Sequence, residues 1–411
     1  MRKLEWTRLT LFGILILLIA LMPLFASTAW AKDSQHQSKF LKVDSSKAGL
    51  DQAVVNALVE RKSATGMEAT STRNRAQVNV KRFAKDGKWA FGVGVIEAPK
   101  VEGAYPEGWL FVAKKTKKGW QVGLEGTSLF VNLSEQAPNS IVKSQEKKTF
   151  SLLGDVQIMS STRTELRLPY TVGQSWTMSG GPHGWAGTDT PYSSIDLTGG
   201  DQRVLAARDG NVYTMCSNNL GWIRVYHNNG YATDYYHLWS NITPADGSWI
   251  TEGSFLGYTG TDVSCGGSAS GRHVHFSLLN GGNRVGLNGK EIGGWVFYQG
   301  SAYNGYAMHG STVRYPGGAL YNYGRLATNQ GIVDANGGGS VNLRSGPGTN
   351  YSIVGSANDG AIVTVSCTAY GTSHTGRWGT TNLWNKLTNG QWISDAFLYT
   401  GADGPVAPSC Y

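Results

Sequence analysis

Hydrophobic and polar positions change rhythm several times along this chain. Arg2, Lys3 and Arg8 precede an apolar run from Leu9 to about Phe25, which is followed by Ala29, Trp30 and Ala31. That succession of charged, apolar and small residues predicts a secretory signal over 1–31. A retained membrane anchor is the alternative, but Pro23 breaks the run and its length is near the lower limit for a span. Next, DQAVVNALVERK (Asp51 to Lys62) places Val54, Val55, Leu58 and Val59 at helical spacing. Four alternating segments follow, AQVNVKRF, WAFGVGVIEA, GWLFVAKK and GWQVGLEG, divided by turn residues such as Asp86 and Gly87. Residues 32–160 therefore predict an α+β leader, a helix packed on an antiparallel sheet.

From Leu166 to about Leu326 helical periodicity disappears. Short glycine-bounded strands replace it, among them VLAARDGNVYTM, WIRVYHNNGYATDYYHL and VHFSLL. The pattern predicts an antiparallel β domain over 161–328. A glycine-rich link, ANGGGS, lies near the start of a final module over 331–411, in which AIVTVSCTAYG and WNKLTNGQWISDAFL continue as short strands of a small barrel. The chain as a whole reads as mainly β.

Composition sharpens these divisions. A length of 411 residues predicts two or three domains. The formal charge of +8 is unevenly distributed: the first 165 residues carry 24 Lys+Arg against 15 Asp+Glu, the remainder 12 against 13. Glycine shifts too, with 43 of the 55 lying after residue 165. The near-neutral later part has no electrostatic footprint for nucleic acid. The break coincides with the start of the family resemblance given below, so 32–160 is expected to be a propeptide rather than a permanent domain, with MSSTRTE (Met159 to Glu165) as the expected cut. All four cysteines follow the break. They suit two disulfides in an exported protein, with three connectivities open, and no C-x-x-C spacing points to a cysteine metal site.

The chemistry concentrates in a few histidines. In GRHVHF, His273 and His275 stand two apart, so a strand would present both imidazoles on one face. Upstream, GPHGWAGTDTPYSSID places His183 thirteen residues before Asp196. Two histidines and one aspartate form a ligand set that leaves a fourth position open, as in catalytic zinc sites. His237 closes NGYATDYYHL, at the expected end of a strand. His36, His227, His309 and His374 lie in polar contexts without partners and are read as ordinary residues.

With these residues in place, the chain resembles the lysostaphin-type zinc endopeptidases, in particular their staphylolysin and β-lytic branch. The resemblance runs from LRLPYTVGQSW (Leu166 onward) through PYSSID, TDYYHL and SGRHVHFSLL, and fades after Leu279. It implies one zinc per chain on His183, Asp196 and His275, with His237 and His273 as catalytic imidazoles. Tyr303, in GSAYNG, is similar to a tyrosine that the branch places near the reacting carbonyl. The resemblance also implies a Cys216–Cys265 bridge, leaving Cys367 for Cys410. No HExxH glutamate is present, so an imidazole would move the protons. VNLRSGPGTNYSIVG resembles the opening of bacterial SH3 (SH3b) domains, which implies attachment to the cell wall. Tyr351, Trp378, Trp384 and Trp392 are the candidate contact aromatics, and Trp392 is expected in the core.

The expectation is a secreted or wall-associated monomer that hydrolyses glycine-containing cross-bridge peptides of peptidoglycan. It would have no nucleic-acid partner and no membrane contact once the signal is cut. A non-catalytic wall-binding or amidase-activating protein is the alternative, and the complete set of ligands and imidazoles argues against it.

Overall fold

The leader folds around a strand buried on both sides. The computed structural model describes residues 47–63, 66–153, 162–243 and 245–411; the signal segment and Met159 to Ser161 of the expected cut lie outside the described residues. Helix α1 (Leu50–Arg61) buries Leu50, Val54 and Leu58, spaced four apart, against Ala90, Phe111 and Leu124. Val55, one step around the helix, is only half-buried. After α2 (Gly66–Arg75), strands β1 (Ala76–Phe83), β2 (Trp89–Ile96), β3 (Glu107–Thr116) and β4 (Gly119–Leu124) pair as an antiparallel meander. Ala90 and Ile96 of β2 meet the α1 side, while Phe91, Val93 and Val95 face the other way. This is why WAFGVGVI is almost continuously apolar.

Among the described residues the leader has four α-helices, of which the sequence reading missed three. Besides α2, there are α3 (Ser128–Gln136) and the short α4 (Ser144–Phe150). Thr127 starts α3, its hydroxyl oxygen accepting the Phe130 N–H at 3.1 Å. Phe130 and Leu133 of α3 and Phe150 of α4 join the same core as Phe91 and Val93.

The middle part is built on a nine-stranded sheet. Its labelled strands are β5 (Ser175–His183), β6 (Ser194–Thr198), β8 (Gly210–Thr214), β9 (Ile223–His227), β10 (Tyr231–Tyr236), β11 (Ser248–Ile250) and β13 (Val274–Asn280), while β7 (Arg203–Leu205) and β12 (Phe255–Tyr258) pair separately. The order is β11-β8-β9-β10-β13-β6-β5, then Ala319–Tyr321, with Asn283–Arg284 paired to β13. Alternation sorts each strand between two faces. Val274, Phe276 and Leu278 of β13 join Tyr231 and Tyr235 of β10 in one core. Leu279 of β13 and Ala232 and Tyr236 of β10 belong to the opposite core, with Tyr213, Trp222 and Tyr226. That opposite face is where the leader sits. The second face of β2 therefore packs against this sheet in a shared apolar core.

The last module is a seven-stranded antiparallel arrangement running from Gln330–Val333 to Leu398–Tyr399, cored by Val333, Val341, Leu343, Val365, Leu387, Ile393 and Leu398. It is not held by its link alone. Ile332 and Tyr399 pack with Val296 and Leu326, and the Thr162 and Tyr399 hydroxyls are 2.8 Å apart. Trp392 is buried, as expected, but so is Trp384; Tyr351 remains exposed. Both bridges, Cys216–Cys265 and Cys367–Cys410, are formed. Among the described residues no helix is long and apolar enough to cross a membrane.

Candidate metal centre and catalytic cleft

Three adjacent strands deliver the three candidate ligands. β13 pairs with β6 so that His275 lies opposite Asp196, and β5 ends on His183, paired with Ser194. Gly180 of β5 also pairs with Asp196, and a Cβ there would come within 2.6 Å of Asp196 Oδ2. Glycine thus gives the carboxylate its space. Asp196 Oδ1 lies 2.9 Å from His275 Nδ1 and 3.5 Å from His183 Nε2, and the two ring nitrogens are 3.2 Å apart. A tetrahedral ion with bonds of roughly 2.0–2.1 Å requires edges of about 3.3 Å. The donor set therefore fits a divalent cation, and it is the one such His/Asp group found among the described residues.

The backbone fixes the tautomers. His183 Nδ1 is 2.7 Å from the Gly181 carbonyl, which can only accept, so Nδ1 carries the proton and Nε2 keeps its lone pair for a metal. His275 and His183 are fully buried, and burial pushes the His275 imidazole down to about 4. Burial opposes the charge of Asp196, but His183, His275 and His273 outweigh it and hold the carboxyl below its ordinary range. Both effects favour the deprotonated forms that bind a cation.

His273 and His237 flank this cluster. His273 immediately precedes β13, is bridged to Gly260, and directs Nε2 to 3.6 Å from Asp196 Oδ1. Its position on the same side as His275 agrees with the i, i+2 reading. Its Nδ1 binds the Gly271 carbonyl at 2.7 Å, and His237 Nδ1 binds the Asp262 carbonyl at 2.9 Å. With the proton on Nδ1, each ring presents Nε2 as its lone-pair nitrogen. The two rings are 4.8 Å apart, and burial, followed by the neighbouring His273 and His275, pushes His237 down to about 3. His237 follows the last residue of β10 with φ 66°, and Tyr303 has φ 68°. Non-glycine residues rarely adopt this left-handed conformation, and such strain often accompanies functional sites. The Tyr303 ring stacks on His183 at 3.9 Å, and burial followed by the Asp196 charge pushes its hydroxyl up to about 12. It therefore stays an O–H donor at neutral pH. The structure brings all six predicted site residues together.

One residue at this site was not foreseen. Tyr105, from the leader loop between β2 and β3, places its hydroxyl 3.4 Å from His237 Nε2 and its ring 5.1 Å from that of His275. The loop is pinned beside it: the Trp185 indole N–H donates to the Pro106 carbonyl at 2.6 Å, and Ala98 N–H donates to the Cys265 carbonyl at 2.9 Å. Nothing in GAYPEG marks a tyrosine that crosses to another domain.

Comparison with known proteins bears on the middle part of the chain. Residues 190–287 match the model of Peptidase family M23. The beta-lytic metalloendopeptidase of Lysobacter enzymogenes is 31% identical over 150 residues, 34% of this chain and 83% of that protein. The chain belongs to peptidase family M23. A second relative, Protease LasA of Pseudomonas aeruginosa, is 33% identical over 139 residues, 31% of this chain but only 32% of LasA. Among solved structures, the M23 metalloprotease pseudoalterin has 31% identity over 38% of this chain and 97% of its own, with a TM-score of 0.35. The M23 match lies within the nine-stranded middle part and includes Asp196, His237, His273 and His275. His183 and Tyr303 fall outside it.

Proposed function

We propose that this M23 peptidase is an exported zinc endopeptidase that cuts glycine-containing peptide cross-bridges of peptidoglycan and is made with an inhibitory leader. The observation that carries the reading is the convergence of three potential metal-ligand atoms with two imidazoles that backbone carbonyls orient through Nδ1. Zinc held by His183, Asp196 and His275 would supply Lewis acidity and make water more acidic. His237 or His273 would take the proton from the attacking water on Nε2, and the imidazolium so formed would return that proton to the leaving amine. Tyr303 would donate its O–H to the oxygen on which charge develops. Two disulfides and the signal-like start support export, and the SH3b-like pattern of the final module supports a wall substrate.

The leader reading rests on Tyr105, which fills the space in front of His237 that a substrate must enter. Digesting purified cell walls with the chain before and after limited proteolysis, with and without a chelator, tests both parts. New amino termini identified by mass spectrometry should appear after proteolysis and vanish with the chelator. Equal digestion by the intact chain would exclude an inhibitory leader, and digestion unaffected by chelation would exclude the metal.

A further inference from the structure

The leader places a second group on the cleft face of the sheet, and this one is charged. Arg224 of β9 is fully buried, with Nε 2.7 Å and Nη2 2.9 Å from the two oxygens of Asp234 on β10. Arg284 donates to the same carboxylate at 2.8 Å, as does the Trp222 indole N–H at 2.8 Å. Two guanidinium groups thus share one carboxylate of the peptidase. The missing charge comes from the leader: Glu125, wholly buried, accepts from Arg224 Nη1 at 2.7 Å and from the Tyr226 hydroxyl. The Leu110 N–H, also from the leader, completes its shell at 2.8 Å. Without the leader, this patch would keep two positive charges against one negative, with Arg224 Nη1 and Tyr226 aimed at the vacated position.

Register places the patch relative to the metal centre. Tyr236 pairs with His275, Asp234 with Ser277, and Arg224 with Asp234. From His275 on β13 to Arg224 on β9 the path is two strands across and two residues along, roughly 12 Å, or about three to four residues of extended peptide. Adhesion of the leader alone does not require a buried ion pair, whose desolvation offsets most of its attraction. A second, exchangeable anion gives Arg224 and Tyr226 a role after the leader leaves.

We propose that Arg224, Tyr226 and Arg284 form a subsite for a substrate carboxylate about three to four residues from the scissile bond, held until activation by Glu125 as a stand-in. The subsite rests on the peptidase reading above. The carboxylate could belong to an acidic side chain or to a free peptide C-terminus, since both present the same two oxygens to a guanidinium.

Two measurements test it. In the full chain, Glu125→Ala should lower Tm by roughly 5 °C by leaving Arg224 buried and unpaired. Acetate should restore part of that loss, whereas acetamide at equal concentration and ionic strength should not. If the alanine variant does not fold, Glu125→Gln, which keeps the shape without the charge, replaces it, and a Tm equal to wild type overturns the charge requirement. The second measurement uses the full chain activated by limited proteolysis and three peptides of one sequence. One carries an acidic side chain three residues from the cut, one ends in a carboxylate there, and one has an amide in its place. One of the two acids should exceed the amide at least tenfold in kcat/KM, and which one identifies the source of the carboxylate. Equal rescue by acetate and acetamide, or equal cleavage of all three peptides, overturns the subsite. If none is cleaved, the peptidase reading fails, and binding of the same peptides decides the subsite: a tenfold tighter acid keeps it, and equal affinities reject it.

Discussion

Three of the four imidazoles around the centre commit Nδ1 to a backbone carbonyl, and what the remaining nitrogens face divides the residues into two experimental classes. His183 uses Nδ1 on a carbonyl two residues upstream and offers Nε2 to the cluster, while His275 offers Nδ1 to Asp196. Removing His183, Asp196 or His275 would remove one of the three proposed ligands. Each alanine variant should therefore lower bound zinc from about one per chain to a small fraction by elemental analysis. Full occupancy after His275→Ala would reject the site. His237 and His273 hold Nε2 free of backbone bonds, so their alanine variants should retain the metal and lose hydrolysis by roughly a hundredfold or more. Wild-type turnover in either would remove that residue from the chemistry. Tyr105 belongs to neither class. Tyr105→Ala should raise the cleavage of a short peptide by the unprocessed chain, whereas an unchanged rate would assign the block to another leader residue.

At the scale of elements, the loop that carries Asp262 is tied to the end of β8 by the Cys216–Cys265 bridge across 49 residues. The Asp262 carbonyl orients His237, so the bridge supports both stability and geometry. Replacing both cysteines by alanine should cost about 4 kcal/mol by the loop-closure argument. It should reduce kcat more than KM for a short peptide, and an unaltered kcat would limit the bridge to stability. A second element carries a pH signature. Glu291, on the two-residue strand Glu291–Ile292, is wholly buried and accepts the Gly294 N–H at 2.7 Å. Burial pushes its carboxyl from 4.5 up to about 7, despite the opposing charge of Arg163. Because the folded chain binds this proton more tightly than the unfolded one, its contribution is fully present below about pH 4.5 and is lost as pH rises through 7. Glu291→Gln should remove that loss, on the order of 2 kcal/mol between pH 5 and pH 8. Urea titrations of both proteins at the two pH values compare the slopes directly, and identical slopes would mean that Glu291 does not titrate in this range.

For the whole molecule, the leader and the final module are both packed onto the peptidase, one over the cleft and one beside Val296 and Leu326. The apolar interface with the leader, which includes Phe91, Leu110, Trp222 and Tyr236, does not depend on the chain connection. A single cut in the expected region should therefore leave the leader bound. Gel filtration should keep both pieces together, with activity appearing only on further digestion of the leader. Separation after one cut would show that covalent attachment maintained the interface. Truncation before the final module should weaken retention on walls, and it should also lower Tm because Tyr399 and Ile332 leave an apolar surface exposed. Unchanged wall retention would leave the module only a stabilising role.

Local patterns in the sequence determined the strands, α1 and the division by composition, because alternation and helical spacing record which side of each segment is buried. They also placed His273 and His275 on one face, since a strand repeats every two residues. The match of HX12D and YYHL to a known family brought His183, Asp196 and His237 to the same centre. Tertiary structure alone decided what lies in front of that centre. Tyr105 and Glu125 are 132 and 99 residues from their partners His237 and Arg224, and no local pattern encodes contacts made across two separate cores. Burial of Trp384 was equally invisible, because an aromatic residue in a strand reads the same whether it meets solvent or a neighbouring sheet.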